Sequence, residues 1–239
     1  MIDLHSHFLP GIDDGSKSSA ESVQMLKTAY AQGVDVMVAT PHFYPDRENP
    51  HTFLRQRQRV MERIPYEPGA MPEIILGAEV AYFDGLSRSE ELQRLCIGDS
   101  SLLLVEMPFT LWTDRVLEDV CALRRNLGLI PVLAHIERYF SFLPDSSVLE
   151  RLRDEGIYLQ SNSEFFLATF RRRRAMKMLR SGQIHFLGSD CHGMDRRPPN
   201  MGAAVNKILQ TGAIQLYRDM EARARSLLCL KDTAMRSLK

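Results

Sequence analysis

Short apolar runs alternate along the chain with longer segments in which apolar residues recur at helical spacing. The runs are rich in Val, Ile and Leu and do not alternate in polarity, which is typical of strands buried on both faces of a parallel sheet. They predict strands at Ile2–Leu4, Val34–Ala39, Glu73–Ala78, Leu102–Val105, Ile130–Ala134, Ile157–Gln160 and Ile184–Leu187. The other segments predict helices near Ser19–Gln32, His51–Arg63, Trp112–Leu127, Ser146–Glu155, Ala175–Gly182, Met201–Leu209 and Ala213–Cys229.

Strands and helices in this order indicate βα units on a parallel sheet. About seven such units in 239 residues fit a small closed α/β barrel. An open, doubly wound sheet is the competing architecture. The turn-rich segment Pro41–Pro50 is predicted to be a loop, and no linker, low-complexity tract or repeat divides the sequence. We therefore expect one domain over residues 1–239.

Composition and charge narrow the function classes. The chain has 30 Lys plus Arg against 30 Asp plus Glu, which argues against a nucleic-acid-coating surface. A hydrophobic fraction of 44% with 25% charged residues is typical of a packed globule rather than a disordered chain. No apolar run approaches the ~20 residues that span a bilayer, and the N-terminus does not resemble a signal peptide. Four scattered cysteines without a CxxC pair indicate a reduced protein without a disulfide framework. Together these features predict a cytoplasmic protein with no membrane insertion.

Potential metal ligands follow most of the predicted strands: His5, His7, His42, Glu79, Glu106, His135, Asp190 and His192. In a parallel barrel these strand ends meet at one face, where such enzymes place their sites. A carboxylate that ends an apolar strand costs several kcal/mol unless it is paired or bound to a metal. Imidazoles and carboxylates without a thiolate suit Mn²⁺, Fe or Zn²⁺ in a multinuclear site, where clustered dications can activate water and neutralise phosphoryl charge. The other two histidines, His51 and His185, are expected to be structural.

Five segments in order, MIDLHSHFLPGIDDG, ATPH, LGAE, AHIERY and SDCHGMDRRPP, resemble the PHP (polymerase and histidinol phosphatase) superfamily. They resemble more narrowly the metal-dependent protein-tyrosine phosphatases of bacterial capsule and exopolysaccharide operons. The resemblance extends from residue 1 to about residue 205. It implies a distorted (β/α)7 barrel, similar to a TIM barrel, that holds three divalent ions at the C-terminal ends of its strands. We expect Mn²⁺, with Fe or Zn²⁺ as alternatives.

The resemblance also distributes the ligands by position. The first ion takes His5, His7, Glu79 and Asp190. The second takes Glu79, Glu106 and His135. The third takes Asp14, His42 and His192, and Asp13 is the near-equal alternative to Asp14 because the register of this loop is not fixed.

Arg138 and Arg197 match the phosphate-binding arginines of the family, a role that suits the rigid fork of a guanidinium. Arg196 is a weaker neighbour that could contact the substrate. The implied reaction is hydrolysis of phosphotyrosine in proteins by a metal-bridging hydroxide, with a metal-bound water or His42 as the proton donor to the leaving group. The implied substrate is the tyrosine-rich tail of a membrane-bound autokinase that controls polysaccharide export. The sequence does not indicate an oligomeric state.

Three other functions stay open. A histidinol-phosphate or nucleotide phosphatase would use nearly the same metal ligands, and a non-enzymatic partner module would keep them as structural metal sites. Cys191 and Arg197 also have the C-x5-R spacing of cysteine-dependent tyrosine phosphatases. A reactive thiol needs a lowered pKa, however, and the neighbouring Asp190 raises it. Cys191 is therefore expected to be a small buried side chain.

Two further features have a structural and a functional interpretation. The run Arg171–Arg174 is expected to be a solvated face, with a docking surface for an acidic or phosphorylated tail as the alternative. Aromatic residues also follow the strand ends, and while most are expected to pack loops, some could flank a phosphotyrosine ring: Phe43, Tyr44, Trp112, Tyr139, Phe165 and Phe166.

Overall fold

The structure is a computed structural model that describes residues 1–145 and 147–230. Its strands there are β1 (Ile2–Ser6), β2 (Val36–Ala39), β3 (His42–Phe43), β4 (Glu73–Leu76), β5 (Glu79–Ala81), β6 (Leu102–Glu106), β7 (Ile130–Leu133), β8 (Tyr158–Asn162) and β9 (Phe186–Gly188). Its α-helices are α1 (Ser19–Ala31), α2 (Pro50–Met61), α3 (Asp114–Leu127), α4 (Val148–Asp154), α5 (Glu164–Leu167), α6 (Arg172–Arg180), α7 (Met201–Leu209) and α8 (Ile214–Leu227). Short 3-10 helices span Leu86–Arg88, Glu90–Leu95 and Ile136–Arg138.

All seven predicted strands are present, and two of them continue beyond a short break. Strand β3 resumes the direction of β2 after two residues, and β5 resumes that of β4 in the same way. The prediction that Pro41–Pro50 is a loop is therefore wrong at its start, because His42 and Phe43 pair in parallel with Glu79 and Val80. The local sequence did not reveal this pairing, because His42 and Glu79 are 37 residues apart in the chain.

The strands pair in parallel in the orders β1-β2-β4 and β3-β5-β6-β7-β8-β9. The first and last strands then meet through a parallel bridge between Ser6 and Cys191. The N–H of Asp190 donates to the carbonyl of His5 at 2.8 Å, and the N–H of His7 donates to the carbonyl of Cys191 at 2.9 Å. The sheet therefore curls round into a distorted barrel, which confirms the predicted fold class over the open sheet.

The predicted helices are present: α7 has the predicted bounds, and the ends of the others are shifted. The helix predicted from Ser146 begins at Val148, and Ser146 lies outside the described residues. Helix α6 begins three residues before the predicted Ala175, because arginine is a good helix former and extends the first turn. The four-residue α5 was not predicted, since a single turn carries too little periodicity to detect. The prediction of one domain stays a prediction.

Alternate strand positions build an apolar cluster beneath the strand ends. It includes Leu102 and Leu104 of β6 with Val36 and Val38 of β2, and Ala224 of α8 packs against it. A larger cluster packs the remaining helices against the sheet. Side chains two residues apart share a face of a strand, so the next position on the apolar side of β6 is Glu106. The barrel therefore places its first polar side chains directly above an apolar layer.

Candidate metal centre

The nine predicted ligands converge at the C-terminal ends of the strands. Most of them are buried: His5, His7, Glu79, His135, Asp190 and His192. His42 and Glu106 are mostly buried, and the side chain of Asp14 is 66% exposed at the opening. No single strand brings these groups together, since they come from β1, β3, β5 and β6 and from the residues after β1, β7 and β9.

The first group of donors surrounds a point between two histidines. The Nε2 atoms of His5 and His7 lie 3.0 Å apart. Each of them lies 3.3 Å from Oε2 of Glu79. Oδ1 of Asp190 lies 3.7 Å from the first and 3.5 Å from the second. Neighbouring donors to one ion are separated by roughly 3–3.5 Å when metal–donor bonds are about 2.1 Å, so this spacing suits a shared cation.

Glu79 connects this group to a second one. Its Oε1 lies 2.9 Å from Nε2 of His135, and that nitrogen lies 3.6 Å from Oε1 of Glu106. Its Oε2, which faces His5 and His7, also lies 3.0 Å from Nδ1 of His42. The two oxygens of one carboxylate therefore face two sets of donors, which is the arrangement of a carboxylate that bridges two ions.

The adjacent acids of the DDG segment have different environments. Oδ1 of Asp14 lies 3.5 Å from Nε2 of His42 and 3.3 Å from Nε2 of His192. Asp13 turns away from these nitrogens, because its Oδ2 accepts from Nδ1–H of His7 at 2.7 Å. Asp14 thus stands among candidate ligands, whereas Asp13 orients one of them. His7 is also within reach of the Asp14 group, a proximity that the sequence did not indicate.

Several polar atoms of the centre have no hydrogen-bond partner among the described residues, and they include Oε2 of Glu79, Nδ1 of His42 and Nε2 of His192. A buried polar atom without a partner costs about 1–3 kcal/mol. Divalent cations would satisfy these acceptors, and a mixture of imidazole and carboxylate suits Mn²⁺, Fe and Zn²⁺. The residues present therefore fit a multinuclear metal site.

The pKa values of His5 and His7 are raised, because neighbouring carboxylates outweigh their burial. Three other groups of the centre, Glu79, Asp190 and His192, are shifted towards the protonation states that bind metals. Burial alone would raise the pKa of Glu79, but the charge of His5 and the hydrogen bond with His135 hold it well below its usual value. The pKa of Asp190 is lowered because nearby His5, His7 and Arg138 outweigh its burial. Burial and the charge of His7 lower the pKa of His192 to about 4. At neutral pH these groups are carboxylates and a neutral imidazole, as ligands must be.

Two of these side chains stand on uncommon backbone. His135 has φ 32° and Asp190 has φ 50°, in the left-handed region that non-glycine residues seldom adopt. The N–H of His135 is held by Oε1 of Gln160 at 2.7 Å. A Cβ on Gly188 would lie 2.5 Å from Cβ of His5, so only glycine allows the last strand to approach this histidine. Such conformations occur where surrounding structure fixes a functional side chain.

The two predicted phosphate-binding arginines lie together at the edge of the centre. Nη1 of Arg197 donates to Oδ2 of Asp190 at 3.0 Å, and Nη2 of Arg138 donates to the same oxygen. Both guanidinium groups are partly exposed. A cleft of about 390 Å³ opens beside Arg197, and its wall includes Lys17 and Arg196 but also three acids, Asp14, Glu21 and Asp195. The centre therefore has two arginines at its edge beside a cleft of mixed charge.

Sequence reasoning missed several supporting residues. Gln160 accepts from Nδ1–H of His5 at 3.2 Å, and Nδ2 of Asn162 donates to Asp190 at 2.7 Å. Asp3 accepts from the N–H groups of His5 and Ser189. An acid within the apolar β1 was a usable signal for Asp3. Nothing in the polar residues that end β8 distinguishes Gln160 and Asn162 from ordinary loop residues.

The cysteine alternative does not suit this geometry. Cys191 is fully buried, and burial, followed by the negative charges of Asp3 and Asp190, raises the pKa of its thiol. Arg197, its C-x5-R partner in sequence, donates to Asp190 instead. The expectation that Cys191 is a small buried side chain is confirmed.

The histidines outside the centre have other environments, as expected. His51 is exposed on α2 beside Arg94 and Glu91. His185 is buried, and its Nδ1 accepts from the N–H of Leu159 at 3.0 Å.

Aromatic rings also border the centre, but most of those predicted from the sequence pack internally: Phe43, Trp112, Tyr139, Phe165 and Phe166 are buried. Tyr44 is different, since its ring stacks on His42 with centroids 5.3 Å apart. Phe109, which the sequence did not suggest, stacks on His135 at 6.3 Å and is 49% exposed. Tyr44 and Phe109 therefore stack on two candidate ligand histidines at the solvent-facing side of the centre.

A parallel barrel with buried histidines and carboxylates at its C-terminal strand ends has its candidate metal site at the face where barrels of this class place their active sites. The fold is shared with the phosphotriesterase of Mycobacterium tuberculosis, with a TM-score of 0.54 and 14% identity over 95% of this chain and 93% of that one. It is more similar to a solved structure described as a metal-dependent tyrosine phosphatase, YwqE from Bacillus subtilis or CpsB from Streptococcus pneumoniae. That match has a TM-score of 0.80 and 23% identity and covers 100% of both chains.

The chain belongs to the CpsB/CapC family of capsular polysaccharide synthesis, whose model matches residues 1–222. It is 34% identical to the tyrosine-protein phosphatase CpsB of Streptococcus pneumoniae over 219 residues, 87% of this chain and 89% of that protein. It is 28% identical to the tyrosine-protein phosphatase YwqE of Bacillus subtilis over 203 residues, 82% of this chain and 79% of that protein. The family membership that the sequence predicted is confirmed.

Proposed function

We propose that this protein is a metal-dependent phosphatase that hydrolyses phosphotyrosine in proteins. The observation that carries the proposal is Glu79, whose two oxygens face separate donor groups while two arginines stand at the edge of the same centre. The relatives named as tyrosine-protein phosphatases support the substrate class. The buried atoms of the centre that have no hydrogen-bond partner in the described part of the chain, such as Oε2 of Glu79 and Nε2 of His192, support metal dependence.

We assign three ions, with Mn²⁺ as the expected metal. The first is assigned to His5, His7, Glu79 and Asp190, which stand around one point. The second is assigned to Glu79, Glu106 and His135. The third is assigned to Asp14, His42 and His192. Nε2 of His42 lies 3.5 Å from Asp14, which also faces His192, and this shared group supports a ligand role for His42.

The bound ions would supply an activated water and neutralise phosphoryl charge. The chain itself orients the ligands: Asp13 holds Nδ1–H of His7, and Gln160 holds Nδ1–H of His5, so each Nε2 lone pair points into the centre. Arg138 and Arg197 would bind the phosphoryl oxygens and offset the charge that develops on them. A phenolate leaving group has a pKa of about 10 and needs less help from a proton donor than an alkoxide would.

The aromatic rings at the opening support an aryl phosphate as substrate. Phe109 and Tyr44 stack on His135 and His42 and would flank the phenyl ring of phosphotyrosine while the phosphate reaches the ions. We propose the tyrosine-rich tail of a membrane autokinase as the natural substrate, met on the cytoplasmic side. Within the described part of the chain, no helix is both long and apolar enough to cross a bilayer.

A chelation experiment tests this proposal. A phosphotyrosine peptide is assayed with the untreated enzyme, after chelation, and after Mn²⁺ is added back, with Cys191→Ser in parallel. We expect activity to disappear on chelation, to return with Mn²⁺ and to be near normal in the cysteine variant. Activity that resists chelation and requires Cys191 would replace the metal mechanism with the cysteine one.

Histidinol phosphate is the competing substrate in the same assay. A kcat/KM for histidinol phosphate above that for the phosphotyrosine peptide would move the function to small-molecule hydrolysis. His5→Ala tests the metal centre itself, since phosphatase activity retained in a folded variant would contradict the assigned mechanism.

A further inference from the structure

We propose that the groove between helices α4 and α6 binds acidic residues that flank the phosphotyrosine of a peptide substrate. The inference rests on the proposed phosphatase function and adds a docking surface to it. We call this surface the α6 groove and define it by Glu150, Phe170, Arg173, Arg174, Lys177 and Arg180. The groove has a volume of about 1080 Å³, which is larger than the cleft at the metal centre.

The side chains that line the α6 groove are mostly positively charged. Four cationic side chains line it against a single acid, Glu150. Arg173, Lys177 and Arg180 recur at helical spacing, so they share one face of α6. An acidic peptide has the complementary charge, whereas a basic or neutral one does not.

The cations of the groove are not neutralised within the protein. Arg174 lies over the ring of Phe140, 3.5 Å from its centroid, and Arg180 donates to the carbonyl of Thr211 at 3.3 Å. Within residues 1–145 and 147–230, the side chains of Arg173 and Lys177 form neither a hydrogen bond nor an ion pair.

Arginines on the neighbouring helices behave differently. Arg125 of α3 and Arg151 of α4 both pair with Glu118, although all three side chains are largely exposed. An exposed location therefore does not by itself leave an arginine of this protein without an acid.

An aromatic side chain at the groove adds an apolar contact. Phe170 is 99% exposed, while the other exposed large hydrophobic residues in the described part of the chain reach at most 60%. A single exposed phenylalanine is not unusual alone. Beside a groove with four cations, it offers the combination of aromatic and arginine contacts that dominates many protein interfaces.

The groove lies within reach of the metal centre. Phe170 follows Asn162 by eight residues in sequence, and Asn162 contacts Asp190 in the centre. Eight residues span at most about 28 Å, and the helix between them shortens that distance. An extended peptide of about ten residues covers roughly 33 Å, so it can place a phosphotyrosine in the centre and acidic residues in the groove.

Steady-state kinetics with two peptides and a small substrate test the proposal. The phosphotyrosine peptides differ only in acidic or neutral flanking residues, and p-nitrophenyl phosphate is too small to reach the groove. The double variant Arg173→Glu, Lys177→Glu reverses the charge of the groove. The matched control is Lys207→Glu, Arg218→Glu, which makes the same change of charge on α7 and α8.

We expect the groove variant to raise KM for the acidic peptide about 10-fold and to leave kcat unchanged, since reversal replaces attraction by repulsion. KM for p-nitrophenyl phosphate and for the neutral peptide should change less than about twofold. The difference between the peptides should shrink as salt is added, because exposed charges are screened. Phe170→Ala should raise KM for the acidic peptide by a smaller factor, without altering net charge.

Three results would overturn the proposal. Equal losses on all substrates would indicate damage to the centre, and an equal effect of the control variant would indicate long-range charge alone. Unchanged KM in both groove variants would show that the groove does not dock the peptide. These results leave the phosphatase function intact, whereas a Mn²⁺-loaded wild-type enzyme that hydrolyses neither peptide would remove that function and the docking surface with it.

Discussion

Both ends of the barrel bury charged groups, but the two sets differ in how they are neutralised. At the end opposite the metal centre, the amino group of Met1 and the guanidinium of Arg225 both bind the carboxylate of Asp35. Glu221 accepts from the N–H of Ile2 at 3.0 Å. These contacts join β1, the residue before β2 and helix α8, so they tie the final helix to the barrel.

At the metal centre Asp190 likewise binds two cations, Arg138 and Arg197, but the groups around Oε2 of Glu79 do not neutralise one another in this way. Oε2 of Glu79 faces three histidine nitrogens, and it still has no hydrogen-bond partner of acceptable geometry. The Nε2 atoms of His5 and His7 face each other at 3.0 Å, and at most one of two neutral rings can donate there. The paired charges around Asp35 stabilise the fold, whereas the unpaired atoms around Oε2 of Glu79 are arranged to bind a cation.

The largest effect that would test this contrast is the loss of the bridging carboxylate. Glu79→Gln keeps the shape of the side chain but removes the charge that two ions would share. We expect kcat/KM for a phosphotyrosine peptide to fall by roughly 10³-fold or more, because each ion contributes several kcal/mol to the transition state. The fold should persist, as measured by circular dichroism, and bound Mn²⁺ should decrease. Glu62→Gln, just after α2, is the matched control, and a comparable loss there would contradict the assignment.

The second test separates Asp13 from Asp14. Asp13→Asn should weaken Mn²⁺ binding by about 10–100-fold, because Asp13 orients His7 without facing the centre. Asp14→Asn should instead lower the number of ions bound, since Asp14 faces His42 and His192. Metal titration with elemental analysis distinguishes the two outcomes. If Asp13→Asn lost an ion and Asp14→Asn retained all of them, the roles would be reversed.

The third test concerns the opposite end of the barrel. Asp35→Asn removes the acid that two cations share, and we expect the free energy of unfolding to fall by about 2 kcal/mol, less than for a fully buried pair. Urea denaturation of the Mn²⁺-loaded protein measures this loss. Activity should stay within about twofold of wild type at 25 °C. A large loss of kcat with unchanged stability would mean that the two ends are not independent.

The smallest expected effect is a change in acid stability at His185. Burial, followed by the charges of Arg223 and Arg153, lowers its pKa from 6.5 to about 4. The unfolded chain therefore binds the proton first, and stability declines as the pH falls from 6.5 towards 4. Between about pH 7 and 5.5 this decline amounts to roughly 1 kcal/mol.

His185→Asn can keep the acceptor for the N–H of Leu159 but cannot titrate. We expect its free energy of unfolding to depend less on pH across this window than that of wild type. Parallel pH profiles for the two proteins would assign the acid sensitivity to other groups.

Much of the fold could be predicted because βα periodicity is local. The runs that became β1, β6 and β7 are apolar in sequence, and the order of elements was sufficient to place their ends on one face. The continuation strand β3 was missed because two residues beside prolines carry no strand pattern. It exists because Glu79 and Val80 provide a parallel partner from a distant part of the chain.

The candidate site divides in the same way. Residue types at strand ends, together with the ordered motifs, were enough to name the ligands and the two arginines, and their grouping around three ions stays a prediction. Gln160, Asn162 and Phe109 were missed because their role depends on which neighbour they face. A glutamine at the end of a strand has no special pattern until His5 and His135 are found beside it.

The sequence by itself determined the family, the alternation of strands and helices, and the chemical types of side chain at the strand ends. These properties depend on composition, on short motifs and on the order of residues within short segments. Only the tertiary structure decided that Asp13 orients while Asp14 faces the centre, that β9 returns to β1, and that the cations of α6 line an open groove. Each of these outcomes depends on distances between residues far apart in sequence, and such distances are set by packing of the whole barrel.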